Sequence, residues 1–323
     1  MPLSILVWNA QHFDHQKGQH SAAYQGKKRF LDHCLAQETV DILVLMETGK
    51  TGTPNTALIN DLSGSFKPLA TAVQEDGIKK DTTLGTLVLI SNDKAKEFEQ
   101  ATGYILGGKE QRSAVVIRHI QSQYGFAFYH ANSSYLAMNN AMDTITFIQS
   151  NLENMGLKKL GFFGGDLNTD GKWAHNELVT HTSGPRDPKN DYSRIVVRES
   201  PPLHKLIPSG SAYTHVSFKE QYKETAKSKE AAKRAISLAK LSGKRKTPNI
   251  IRTYKLVGYT PVVRLLDFAY VDDLSVWSSA CDASFSTPAP IGDPPAKPVR
   301  ISLGEEMRSD HFPVFYKYEG DFA

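Results

Sequence analysis

The chain has 323 residues, 40% of them hydrophobic and 22% charged, with a net charge of +4 and two cysteines. That is enough apolar material for one large core or at most two domains. It excludes a disulfide framework and a cysteine-based metal site, because Cys34 and Cys281 stand alone, and no stretch approaches the roughly 20 apolar residues of a bilayer-spanning helix.

The opening segment, MPLSILVWNA, enters a strand pattern directly, without a basic and then apolar leader. The expectation is therefore a reducing, cytoplasmic setting at synthesis, with a leaderless secretion route as the way out if the protein is exported. Residues 3–8 and 41–46 read as buried strands, and the segment between them has helical period through Phe30, Leu31, Cys34 and Leu35. Further strands are predicted at 85–91, 113–119 and 125–130, the last two as a hairpin-like pair. A helix follows over about 138–155, with Ile145, Ile148, Leu152 and Met155 on one face, and KKLGFFGGD then reads as another buried strand. Short strands are expected at 262–271 and 312–318, with the Pro-rich STPAPIGDPPAKPV as a loop between them. Strands joined sometimes by helices and sometimes by hairpins suggest two packed sheets covered by helices rather than a single doubly wound parallel sheet, a choice that periodicity alone leaves open.

The segment 172–261 has few apolar runs and reads as a partly helical insertion within a single domain spanning 1–323, with a separate small domain as the alternative. Its stretch 219–246 contains ten Lys or Arg against three Glu, a charge of +7 that leaves the rest of the chain at −3. One reading is a solvated helix with i,i+4 pairs such as Glu230–Arg234. The other is a phosphate-tracking patch.

Polar side chains recur where apolar strands end. Asn9 follows Trp8, Glu47 closes LVLMET, His130 closes FAFYH, Asp166 and Asn168 close GFFGGDLN, Asp267 lies in RLLDFAYV, and Asp310 and His311 precede the last strand. These types suit phosphodiester hydrolysis. Oxygen donors such as Glu47, Asp310 and Asn9 can hold a hard divalent cation. A histidine paired to a carboxylate, Asp267–His311, is a competent general base. His130 would face the phosphate from the other side, and Asp166 with Asn168 would align the nucleophile. Taken singly, each piece has a plain structural reading: GDLN as a turn around Gly165, SDH as a helix cap. The other histidines, His215 among them, read as surface or loop residues.

The ordered set ILVWNAQ, DILVLMET, GTLVLIS, FYHANSS, GFFGGDLN, RLLDFAYV and RSDHFPVFYKY resembles the endonuclease/exonuclease/phosphatase superfamily, nearest to its deoxyribonuclease I and cytolethal distending toxin branches. The resemblance implies a four-layer αββα sandwich, two mixed sheets flanked by helices, with the site at one rim. It makes Glu47 the main metal ligand beside Asn9 and Asp310, with Mg²⁺ as the cation and Mn²⁺ or Ca²⁺ as substitutes. His130, Asp166, Asn168, Asp267 and His311 become catalytic. Asp81 is the nearest candidate for a carboxylate partner of His130, and a poor one.

The expected activity is a Mg²⁺-dependent DNA endonuclease of low sequence preference, acting as a monomer on double-stranded DNA and leaving 3′-hydroxyl and 5′-phosphate ends. Arg112, Asn132, Lys233, Arg234, Lys244, Arg245 and Lys246 are its expected phosphate-binding residues. A nuclease toxin with an immunity or delivery partner fits this reading. A phosphoinositide phosphatase or sphingomyelinase-like phosphodiesterase is the alternative. The string Tyr270-Val271-Asp272-Asp273 also resembles a polymerase motif, but no second strand-borne aspartate upstream supports that reading. Period-2 alternation places Leu265, Asp267 and Ala269 on one strand face and makes Asp272 and Asp273 turn residues.

Overall fold

A computed structural model describes residues 2–11, 13, 22–48, 55–72, 85–101, 114–131, 133, 137–171, 177–178, 203–211, 213–241, 252–281, 300–302, 305–307 and 309–322. In chain order the elements are β1 (Leu3–Asn9), α1 (Ala22–Gln37), β2 (Ile42–Met46), α2 (Thr56–Leu62), β3 (Phe66–Ala72), β4 (Thr86–Ser91), β5 (Phe98–Gln100), β6 (Val115–His119) and β7 (Tyr124–Phe128). Then come α3 (Ala137–Ser150), β8 (Lys159–Asp166), β9 (Glu177–Leu178), β10 (Leu203–Leu206), β11 (His215–Glu224), α4 (Ala226–Leu241), β12 (Tyr254–Arg264), β13 (Asp267–Val271), β14 (Trp277–Cys281), β15 (Arg300–Ser302), β16 (Glu305–Met307) and β17 (Val314–Tyr318).

The strands build a six-stranded sheet, β14-β17-β1-β2-β4-β3, and a seven-stranded sheet, β5-β6-β7-β8-β13-β10-β9. Both are mixed: β1–β2 and β7–β8 are parallel and their neighbours antiparallel. Strands such as LSILVWN and KLGFFGGD carry nearly unbroken apolar runs because each is covered on both faces. Ile5, Val7, Val44, Phe126, Phe162 and Tyr316 meet between the sheets. On the outer side of the six-stranded sheet, Trp8, Leu43 and Leu45 pack against Tyr24, Phe30 and Leu31 of α1 and Leu58 of α2. On the outer side of the seven-stranded sheet, Phe163, Phe268 and Tyr270 pack against Ile145 and Ile148 of α3. Helix, sheet, sheet, helix is the expected four-layer order.

Several expectations shift. Helix α3 stops at Ser150, and Met155 reaches the core from a turn whose Gly156 sits at φ 68°, where the Leu157 amide donates to the Leu152 carbonyl. Within 172–261, β10 is no surface decoration: it pairs with β13 inside the seven-stranded sheet. The segment 219–246 is only partly helical. Residues to Glu224 belong to β11, which pairs with β12 as a separate two-stranded arm, and α4 starts after Thr225, whose hydroxyl caps the Ser228 amide at 3.2 Å. The strand predicted over 262–271 breaks at Leu265 and Leu266, where the chain leaves the arm and enters the sheet. Leu265 therefore packs with Phe268 and Tyr270 and does not share the Asp267 face.

Candidate active site

The centre of each sheet delivers three chain segments to one rim. In the six-stranded sheet β17, β1 and β2 are adjacent, and β17 runs antiparallel to β1. The residues before β17 (Asp310, His311), at the end of β1 (Asn9) and after β2 (Glu47) are thus neighbours. In the seven-stranded sheet β7, β8 and β13 are adjacent, which brings together His130 beyond β7, Asp166 at the end of β8 and Asp267 at the start of β13. Asp166 and Asp267 stand directly opposite each other in the ladder.

The two rims interlock through side chains. His311 Nδ1 lies 2.8 Å from Asp267 Oδ2. Asn9 Nδ2 donates to Asp166 Oδ2 at 2.9 Å and to Glu47 Oε1 at 3.3 Å. His130 Nε2 faces Asp166 Oδ2 at 3.5 Å and Glu47 Oε1 at 3.6 Å. His311 Nε2 looks towards Asp166 Oδ2 and Asp310 Oδ1, each at 3.6 Å. Asn9, His130, Asp166, Asp267 and His311 are buried, whereas the Glu47 and Asp310 side chains are 13% and 28% exposed. Those two carboxylates form the solvent-facing lip of an otherwise enclosed cluster.

Local backbone geometry serves this cluster. The Asp166 carboxylate accepts the Asn168 amide at 3.0 Å, and Asn168 Nδ2 donates to the Ala131 carbonyl at 2.7 Å. GDLN is therefore a turn whose Asp166 and Asn168 side chains bond within the cluster. Gly165, at φ 142°, is required: a Cβ there would lie 2.4 Å from the Tyr129 carbonyl oxygen. Glu47 and Asn168 hold left-handed backbone at φ 57° and 47°, a strained conformation for non-glycine residues that clusters at functional sites. The amides of Leu266 and Asp267 both donate to Thr214 Oγ1, at 3.0 and 2.8 Å, which pins the Asp267 end of β13.

Electrostatics follow from crowding carboxylates in a buried place. Burial pushes Asp166 up to about 6, aided by Asp267 and opposed by His311. Burial alone would lower His311, but Asp267, Asp166 and Asp310 outweigh it and hold the imidazole at about 10. Burial also pushes Asp310 upward, yet a hydrogen bond from His215 and the charges of His311 and His215 keep it below the ordinary carboxylate value.

His215 is the residue that sequence pattern missed. It opens β11, forms an isolated bridge with His311, places Nε2 3.0 Å from Asp310 Oδ2, and stacks edge-on against the His311 ring at 4.8 Å. It carries no sequence signal, because its chain neighbours belong to the arm and its partner is 95 positions away. Among the described residues, two groups hold at least three His or carboxylate ligand atoms within 4.8 Å of one another: His215–Asp310–His311 and Asp166–Asp267–His311. Lys233 and Arg234 are exposed on α4, and Arg234 pairs with Glu230 at 2.7 Å. Asp81, Arg112, Asn132, Lys244, Arg245 and Lys246 lie outside the described residues. Asp272 and Asp273 sit at the far end of β13. Asp272 accepts the Tyr124 hydroxyl at 2.7 Å and pairs with Lys159 at 2.9 Å, and Asp273 accepts the Ser275 amide in a turn.

No protein-family model and no curated protein matches this chain. Solved structures do. TDP2 from C. elegans aligns at a TM-score of 0.51 with 13% identity, over 99% of this chain and 76% of that one. An endonuclease/exonuclease/phosphatase from Bacteroides vulgatus aligns at 0.51 with 10% identity, over 99% and 100% of the two chains. A family protein of the same description from Bacteroides thetaiotaomicron gives 0.50, with 10% identity over 99% and 98%. With two mixed sheets between helical layers and polar strand ends gathered at one rim, this chain has the fold of the endonuclease/exonuclease/phosphatase proteins.

Proposed function

We propose that the chain is a metal-dependent phosphodiesterase, and within that class a DNA endonuclease of low sequence preference. The observation that carries this reading is the buried Asp267–His311 pair, whose outward Nε2 faces Asp166 and Asp310 at the junction of the two sheets. Hydrolysis of a phosphodiester needs a water deprotonated as its oxygen bonds to phosphorus, and the leaving 3′ oxygen protonated as its bond breaks. His311 Nε2 takes the water proton, and Asp267 holds the ring and stabilises the imidazolium. Asp166 and Asn168 align the water. His130 donates to the leaving oxygen, which ends as a 3′-hydroxyl opposite a 5′-phosphate.

Glu47, Asp310 and Asn9 fit a hard cation. Glu47 and Asp310 are the oxygen donors at the solvent-facing lip, Asn9 is buried beside Glu47, and among the described residues no donor bonds the buried Asp310 Oδ1. Mg²⁺, when bound, supplies charge neutralisation at a phosphoryl oxygen. The same surplus of negative charge holds His311 protonated near neutral pH, so its service as a base requires that positive charge offset the surrounding carboxylates. The exposed basic residues of α4 support a polyanionic substrate.

The test is nicking of supercoiled plasmid in Mg²⁺, run beside RNA, phosphoinositide and sphingomyelin substrates. Plasmid nicking is expected, with His311→Ala and Asp166→Ala each losing about 10²- to 10⁴-fold in rate. Either variant cutting at the wild-type rate would refute the mechanism. Phosphate release from phosphoinositide without nicking would move the chain to the lipid reading.

A further inference from the structure

We propose that His215, Asp310 and His311 form a locus for a Zn²⁺-class ion that silences the catalytic centre when filled. Two imidazole nitrogens and one carboxylate are a donor set that favours borderline ions such as Zn²⁺ over Mg²⁺, which prefers oxygen alone. The spacing suits it. In a tetrahedral site with bonds of about 2.0–2.2 Å, ligand atoms sit roughly 3.3–3.6 Å apart. The Asp310 carboxylate lies between the two rings, with Oδ2 3.0 Å from His215 Nε2 and Oδ1 3.6 Å from His311 Nε2, and one ligand atom from each of the three residues lies within 4.8 Å of the others.

The backbone holds these residues together before any ion arrives. The Val216 amide donates to the Asp310 carbonyl and the Phe312 amide to the Thr214 carbonyl, each at 2.8 Å. The outer partners of the two histidines differ, and that difference sets the character of the site. His311 Nδ1 is fixed by Asp267, the carboxylate–histidine arrangement that orients a metal-binding imidazole. Among the described residues, no hydrogen-bond partner reaches the buried His215 Nδ1. One nitrogen ligand is pre-oriented and the other is unsupported, which describes an exchangeable site and not a permanent structural one. Filling it occupies His311 Nε2, the lone pair that must accept the water proton, so ion binding and catalysis exclude each other.

The silencing half of this inference rests on the nuclease reading above; the binding half does not. Zn²⁺ is titrated by calorimetry into the 323-residue chain saturated with Mg²⁺. Wild type is expected to bind one Zn²⁺ per chain. His215→Gln, which keeps a hydrogen-bonding side chain beside Asp310, and His215→Phe, which keeps the ring volume, should each weaken binding by more than about tenfold, the lower end of what even an outer partner of a metal ligand costs. Zn²⁺ affinity unchanged in a folded variant overturns the site. In the plasmid assay Zn²⁺ should stop wild-type nicking despite excess Mg²⁺, with recovery on adding a zinc-selective chelator. Nicking at an unchanged rate by the zinc-bound chain overturns the silencing. If the chain nicks nothing, calorimetry still decides whether the locus exists.

Discussion

His311 is where burial and charge oppose each other most directly. Its folded value near 10 exceeds its ordinary 6.5 because ionised Asp267, Asp166 and Asp310 surround it. A basic group raised in this way contributes stability that is full below about 6.5 and is lost as pH rises through about 10. In chelator, wild-type stability should fall across that window by on the order of a few kcal/mol, and His311→Gln should flatten the decline. Urea midpoints at several pH values check this, and parallel curves for the two proteins would show that the ion-pair account is wrong. A second contrast separates the aspartates of RLLDFAYVDD. Asp267→Asn should lose at least about 10²-fold in nicking rate, whereas Asp273→Asn, which alters only a turn bonded to Ser275, should keep most of it. Asp272→Asn should also keep activity but lose some stability, because Asp272 pairs with Lys159 and Tyr124 roughly 16 Å along the strand from Asp267, at about 3.3 Å per residue.

At the scale of elements, the arm of β11 and β12 with α4 is the part least explained by the core. Of the positions in α4 whose burial is described, only Ser228 and Ala232 are buried, so the helix is held by a narrow contact and its charges face water. The solvated-helix reading holds for α4, where Glu230 and Arg234 pair, and not before it, where Glu220 is a strand residue bonded to Tyr222. Replacing Lys233, Arg234, Lys244, Arg245 and Lys246 by Ala should weaken DNA binding and lower the slope of log affinity against log salt by about 0.9 for each phosphate that is no longer neutralised. A slope identical to wild type would leave the arm with no part in binding DNA. The base of the arm is a different matter, since His215 and Thr214 touch Asp310 and the Asp267 amide directly.

For the molecule as a whole, the space between the sheets is filled by large rings. Phe162 packs against Phe128, Trp277 and Tyr316, with ring centroids 5.1–5.6 Å apart, joining the seven-stranded sheet to the six-stranded one. Phe162→Ala is expected to cost about 3–5 kcal/mol. Unfolding followed by near-UV and far-UV circular dichroism should remain coincident if both sheets form one cooperative unit. Separate transitions would divide the chain into two domains.

The unbroken apolar runs identified β1, β2, β4, β7 and β8, because a strand covered on both faces has no room for polar residues. The polar residues at the ends of four of these runs, Asn9, Glu47, His130 and Asp166, meet at one rim. The exposed arm was not legible, since β11 and β12 satisfy their backbone through each other and need no apolar pattern; a run of Lys and Glu there reads as helix. Tertiary structure alone decided three things. It set which carboxylate faces which histidine, it strained Glu47 into left-handed backbone, and it placed His215 beside Asp310. Each depends on segments far apart in the chain meeting at one rim, and no local pattern records that meeting.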